Sequence, residues 1–383
     1  MSLASKGRPS RLGRALVEGR TRVSVLRPQD LTENHLAEWR RFQSQSPALD
    51  SPYLSPDYVR LVAGVRPGVA VAVAEEDGRV AGFFPFQRHG RVGKPVGGPL
   101  SDCQAVIAAP WWEWDPPSLV RAAGLSVYDF TNHRTEQRPF EPFHRAVDTS
   151  HTIDLTRGFD AYVRECRERG RDLPGKPFGM PHQAMARARS LERQAGPLRV
   201  VVHDPDPQSL RLVIAWKSEK YRRTGVPDAF AHRWTVDLLE RIHATQTEAF
   251  AGMLSTLSVN GDVVAAHMGM RSASVLHWWF PVYNMAYAKF SPGLILLAEV
   301  CRHAAEIGVR TIELGAGDEA YKVLVANGGV QVAAGYVGSA SLPLWYRQFR
   351  HGTETLAGRL PIGPAARWPG KLFRRIDRFG RFR

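Results

Sequence analysis

Cysteine is scarce in this chain. Three occur among 383 residues, Cys103, Cys166 and Cys301. They lie far apart and are odd in number, which argues against a disulfide framework or a cysteine-rich zinc site and for a reducing compartment. No metal is expected. No apolar run approaches the roughly 20 residues that a helix needs to cross a bilayer. The basic N-terminus lacks an apolar core, so it does not read as a secretory signal. The cytoplasm is the expected location. Zinc-finger and RNA-recognition patterns are missing as well.

What is present is ordinary for a globular protein, apart from its charge. Hydrophobic residues make up 44% and charged residues 23%, and 51 basic against 37 acidic side chains leave a net charge of +14. Much of the excess sits at the ends, in Lys6, Arg8, Arg11, Arg14, Arg20 and Arg22, and in Arg374, Arg375, Arg378, Arg381 and Arg383. Such tails solvate, or touch acidic surfaces weakly, and do not by themselves indicate DNA as a partner. The length suits about two domains. The reading is a disordered basic segment over 1–20, a first domain over 21–157, a second over 158–345 and a basic tail over 346–383.

The first domain reads as strand, helix, helix, strand, strand. Asp77-Gly78 is a strong turn signal between the alternating stretches Val69 to Ala74 and Arg79 to Gln87. Trp111, Trp112 and Trp114 form either a sugar-stacking platform or, more often for such a cluster, core packing. Phe159 to Gly196 is rich in Arg and divides into two helical pieces around Pro174 to Pro181. Its bases are either a cationic wall for an anionic ligand or, more commonly, a solvated face.

The second domain reads β-α-α-β-β-β-α-β-α-β. Leu210, Val213, Ile214 and Trp216 or Lys217 recur at helical spacing over Pro207 to Tyr221. Asn260-Gly261 joins two strands as a hairpin. The stretch Val282 to Ala326 organises the domain. Ser291 suits a helix N-cap and Pro292 the first helical position. Leu294, Leu297, Ala298, Cys301, Ala304 and Ala305 share one helical face, and Gly308 suits a left-handed cap. A short strand follows, then Gly315-Ala316-Gly317, and Asp318 caps another helix. Two helix N-termini thus follow two strands. They are either ordinary caps or sites for a phosphate or a developing oxyanion.

Order and residues together resemble the Gcn5-related N-acetyltransferase (GNAT) fold, and more narrowly the CelD family of polysaccharide-biosynthesis acetyltransferases. The resemblance rests on Ala265-Ala266-His267-Met268-Gly269, His277 to Tyr283, Ser291-Pro292-Gly293, Glu313 to Glu319, Tyr321-Lys322 and Lys217 to Gly225. It covers about Phe159 to Gly338 strongly and the earlier half more weakly. It implies an α/β fold of two tandem GNAT-like units, as in FemAB-type transferases, with mixed central sheets flanked by helices. It also implies acetyl-CoA as acyl donor and a saccharide, sugar nucleotide or other small molecule as acceptor. One departure stands out. The usual GNAT pyrophosphate loop is Arg/Gln-x-x-Gly-x-Gly/Ala, and here the place reads Lys289-Phe290-Ser291-Pro292-Gly293-Leu294. Because Pro292 has no N–H, the cradle must use the amides of Gly293, Leu294 and Ile295, with Lys289 as a point charge.

Acyl transfer needs a base for the acceptor, stabilisation of the carbonyl oxygen and a proton for the leaving thiolate. His267, among small neighbours that leave room for a substrate, is either the base or a hydrogen-bonded core histidine. Glu313 is a second base candidate, or else pairs with Arg310 or caps. Tyr321 resembles the tyrosine with which many GNAT enzymes protonate the thiolate, and is otherwise a buried hydrogen-bonding phenol. Tyr283 is placed to shape the acyl pocket. Lys322 lies early in a helix, against the dipole, which calls for an anionic partner. Two other functions stay open. One is FemAB-like aminoacyl or peptidyl transfer from aminoacyl-tRNA, with Arg164 to Arg193 on RNA phosphates. The other is a non-catalytic scaffold that touches a membrane or a polysaccharide synthase.

Overall fold

A computed structural model describes residues 14–17, 21–171, 180–317, 319–339 and 347. The chain forms two compact units. The first takes Met1–Leu49, Val62–Val147 and Ala333–Arg383, and the second takes Asp50–Leu61 and Asp148–Val332. The units therefore interleave along the chain, where the sequence suggests a single passage near residue 157.

In the first unit, β1 (Arg14–Val17), β2 (Thr21–Leu26), α1 (Glu33–Ser44), α2 (Pro56–Ala63, most of whose residues belong to the second unit), β3 (Val69–Glu76), β4 (Arg79–His89), β5 (Val92–Lys94), β6 (Ile107–Ala108), α3 (Pro116–Ala122) and β7 (Val127–Arg134) follow in turn. The strand order is β1-β2-β3-β4-β5-β7, with β6 on β4. β1 corrects the expectation that everything before Thr21 is disordered, since Arg14 to Val17 pair antiparallel with β2. Asp77 (φ 48°) and Gly78 (φ 78°) make the expected hairpin turn, which needs positive φ at both central positions. The tryptophan cluster divides. Trp112 is buried, fills the space beside Gly82 and stacks on Trp114 at 5.7 Å, whereas Trp111 is exposed under Arg79.

The second unit continues with β8 (His144–Asp154), α4 (Phe159–Arg171), α5 (Met180–Ala195), β9 (Leu198–Val201), α6 (Pro207–Thr224), α7 (Arg233–Ala244), β10 (Ala251–Val259), β11 (Asp262–Arg271), β12 (Val275–Tyr283), α8 (Pro292–Glu306), β13 (Thr311–Ala316), α9 (Ala320–Val325) and β14 (Gly328–Gly338). Its strands run in the order β14-β8-β13-β12-β11-β10-β9, with β8 belonging to it from Asp148 on and β14 up to Val332. β12 and β13 are parallel and the pairs flanking them are antiparallel, so the sheet is mixed.

The core explains the helices. Ile295, Leu296, Leu297, Ala298, Val300, Cys301 and Ala304 of α8 pack with Tyr162 of α4, Leu191 of α5 and Trp278 of β12. Each fully buried aliphatic side chain stabilises the fold by about 1.5–3 kcal/mol. Cys301 is such a filler, with its thiol pushed up by burial. All three cysteines are buried and free. Gly308 (φ 85°) ends α8 in the left-handed conformation.

Candidate functional site

The site is a divergence between two strands. β12 and β13 pair over three positions only, Val275–Thr311, Leu276–Ile312 and His277–Glu313. Beyond them β12 runs on to Tyr283 and β13 to Ala316, so the strands part in a V. α8 starts from one arm and α9 from the other.

At the apex, His277 and Glu313 are both buried, and His277 Nδ1 lies 3.9 Å from Glu313 Oε2. A distant piece of chain closes over them. Ser51 Oγ donates to Glu313 Oε2 at 2.9 Å, Ser274 donates to Asp50, and the Tyr53 ring meets His277 and Trp279 edge-on at 4.9 and 5.6 Å. Glu313 thus has Ser51 and His277 as neighbours.

His267 is placed differently. It is 0% exposed and its ring stacks on Trp278 at 3.7 Å. Nε2 accepts from the Trp279 N–H at 3.3 Å, and burial holds the imidazole well below its usual range. The room that small neighbours were expected to leave for a substrate is filled by the imidazole itself. A Cβ on Gly269 would stand 2.7 Å from its Cε1 and Nε2. Across the strand pair, Ser255 faces His267, and Ser255 Oγ and His267 Nδ1 are both buried without a hydrogen bond among the described residues.

The start of α8 corrects a second expectation. Ser291 is left-handed (φ 51°, ψ 56°), and its hydroxyl does not cap the helix. It accepts instead from the Arg187 guanidinium of α5. The Ser291 carbonyl takes the amides of Leu294 (2.9 Å) and Ile295 (3.3 Å). Of the three amides proposed as a phosphate cradle, two are committed, and Gly293 keeps the one without an acceptor among the described residues. A Cβ added there would meet only Tyr283 Cδ1, at 3.6 Å, so the chain is uncrowded on its side-chain side. Tyr283 is 42% exposed. Lys289 lies 4.7 Å from the Phe290 ring centroid, with Nζ 3.4 Å from Gln194 Oε1. The amide of Gly293 with Arg187 and Lys289 nearby fits a phosphate.

On the other arm, Lys322 is 5% exposed. Its Nζ donates to the carbonyls of Ala316 (2.8 Å) and Gly315 (3.4 Å) and pairs with Glu319 at 2.9 Å. The anionic partner that its helix position called for is therefore its own neighbour one turn back. Tyr321 is half-buried against the core, and burial followed by the Glu319 carboxylate push its phenol up. Asp318, read as the cap of α9, lies outside the described residues; Glu319 occupies the cap position.

Lys217 on α6, which opens the Lys217 to Gly225 motif, is one alternative in the sequence for a helical stripe. It is 9% exposed, with Nζ 5.6 Å from the Tyr221 ring centroid and 5.7 Å from that of Phe280 on β12. The signal was legible: after Leu210, Val213 and Ile214, the next position of the apolar stripe holds a lysine.

Residues 182–323 match a family model described as an acetyltransferase (GNAT) domain. The matched segment contains the whole V, from α6 to Lys322. Among solved structures the chain is similar to FemX, with a TM-score of 0.57 and 9% identity over 83% of this chain and 98% of that one. A tandem GNAT protein from the clavulanic acid biosynthesis pathway aligns with a TM-score of 0.48 and 12% identity, over 84% and 99% of the two chains. No curated protein matches the sequence. The fold is mixed α/β, with mixed sheets flanked by helices. Among the described residues no group of side chains could hold a metal ion, and no helix is long and apolar enough to cross a membrane.

Proposed function

We propose that the second unit is an acyl-CoA-dependent acyltransferase of the CelD type, which acetylates a nitrogen or oxygen of a saccharide or sugar nucleotide in polysaccharide biosynthesis in the cytoplasm. The observation that carries this reading is the three-residue pairing of β12 with β13, which leaves a V beside the one uncommitted amide of α8. A thioester in the V supplies an activated acyl group. The Gly293 amide, Arg187 and Lys289 hold its phosphates, and Tyr283 borders the same opening. Placing donor and acceptor together supplies much of the acceleration. Glu313, fixed by Ser51 at the apex, is the carboxylate placed to take the acceptor's proton. Tyr321, whose phenol keeps its proton, gives it to the departing thiolate. Lys322 ties the start of α9 to the end of β13 and so positions Tyr321. His267, sealed against Trp278, has no part in the proton transfers.

The test is a thermal-shift series with acetyl-CoA, longer acyl-CoAs and free CoA. A ligand of the native state at a hundred times its Kd stabilises by about 2.7 kcal/mol, so acetyl-CoA raises the melting temperature. Absence of any shift overturns the reading. Tyr321→Phe should slow turnover by about 10²–10⁴ with an unchanged melting temperature. Unchanged turnover removes Tyr321 from the mechanism.

The similarity to FemX favours a second reading, aminoacyl or peptidyl transfer from aminoacyl-tRNA. The Arg-rich α4 and α5 would then track RNA phosphates, and activity would fall steeply with salt. Acetyl-CoA turnover with a shallow salt response decides against it.

A further inference from the structure

Lys217 is a largely buried lysine whose ammonium tip still touches solvent. Its ammonium has no hydrogen-bond acceptor among the described residues, although only 9% of the residue is exposed. Its neighbours are the faces of Tyr221 and Phe280, the ammonium of Lys322 and the carboxylate of Glu319. Withdrawing most of a charged side chain from water disfavours its charged form. Burial first, then Lys220 and Lys322, push its ammonium down to about 8, against the pull of Glu319. About a tenth of the side chain is therefore neutral amine at pH 7 and about half at pH 8.

Its place matters as much as its charge state. Phe280, under its Nζ, is three residues beyond the last paired residue of β12, on the arm that has left β13. Lys322, next to it, grips the carbonyls at the end of the other arm. Lys217 therefore sits across the open end of the V, where the proposed reading puts the thioester.

We propose that Lys217 is a self-acylation site, an inference that rests on that reading of the V. With an acyl thioester bound and no outside acceptor, the ε-nitrogen attacks the thioester carbonyl carbon. The C–N bond forms, the C–S bond breaks, and the thiolate leaves with the proton that the nitrogen loses. The product is a free thiol and a neutral secondary amide. The amide removes the unpaired charge and rests its acyl group on two aromatic faces, so the fold favours the acylated state. Acylation then fills the mouth of the V and limits further turnover.

The full chain is incubated with acetyl-CoA alone and followed by peptide mass mapping. The expected result is one acetyl group on Lys217, none in Lys217→Arg, and a rate that rises through pH 8. Lys217 should react about tenfold faster than exposed Lys220, because its place beside the bound thioester adds to its larger share of free amine. Acetyl-CoA that shifts the melting temperature yet leaves Lys217 unmodified overturns the inference. So does labelling of Lys217 no faster than that of Lys220. If acetyl-CoA gives neither shift nor label, S-acetyl-N-acetylcysteamine separates the two ideas, since it is a thioester without nucleotide. Preferential labelling of Lys217 by it keeps the self-acylation site and removes the acyl-CoA reading, and its absence removes both.

Discussion

Lys217 and Lys322 interact electrostatically near the start of α9, and the side chains of both are largely buried. Lys322 donates to two backbone carbonyls and pairs with a carboxylate. Lys217 has two ring faces and no oxygen acceptor among the described residues. The difference teaches that burial alone does not set the role of a charged side chain. The acceptors around it do. A satisfied ammonium acts as a clamp, whereas an unsatisfied one is costly to keep charged and so inclined to chemistry.

Removing each lysine sharpens this contrast. Lys322→Met should cost about 3 kcal/mol in urea unfolding, because two buried carbonyls lose their donor and Glu319 its partner. Lys217→Met should instead stabilise at pH 7, by on the order of 2 kcal/mol, because a partly desolvated ammonium beside other lysines gives way to an apolar chain of similar length. Equal losses from both would break the comparison.

The pH dependence carries the same sign. The Lys217 ammonium is depressed from 10.5 to about 8 in the folded protein, so the unfolded chain binds more protons between these values. Stability should rise as pH increases from about 8 to 10.5, by up to about 3 kcal/mol from this group. In Lys217→Met that rise should be missing. The double variant should show a coupling of about 1 kcal/mol, since loss of one ammonium relieves the other. The smallest effect is expected from Glu319→Gln, roughly 0.5 kcal/mol, because its side chain is more than half exposed and the pair is screened.

Much of the frame could be read from the sequence for local reasons. The apolar face of α8 recurs at the helical period, and Asp77-Gly78 and Asn260-Gly261 both take positive φ as hairpin turns require. The readings that changed depended on distant chain. Ser291 carries a capping side chain, but Arg187, 104 residues earlier, takes its hydroxyl, and the backbone turns left-handed there. Gly269 read as room for a substrate, yet the His267 ring fills it. No period or motif marks Ser51 and Tyr53 as neighbours of Glu313 and His277. Lys217 was visible as a break in an apolar stripe, but its lack of an acceptor is a property of three dimensions.

The Ser51–Glu313 hydrogen bond joins residues 262 positions apart. During synthesis at about 5–20 residues per second, Ser51 is made roughly 13–50 s before its partner. Through that interval the ribosome has delivered one rim of the crevice without the other. The apex can therefore close only late in translation, after β13 has been made, and a nascent chain stalled before Glu313 would carry an early segment with nowhere to dock.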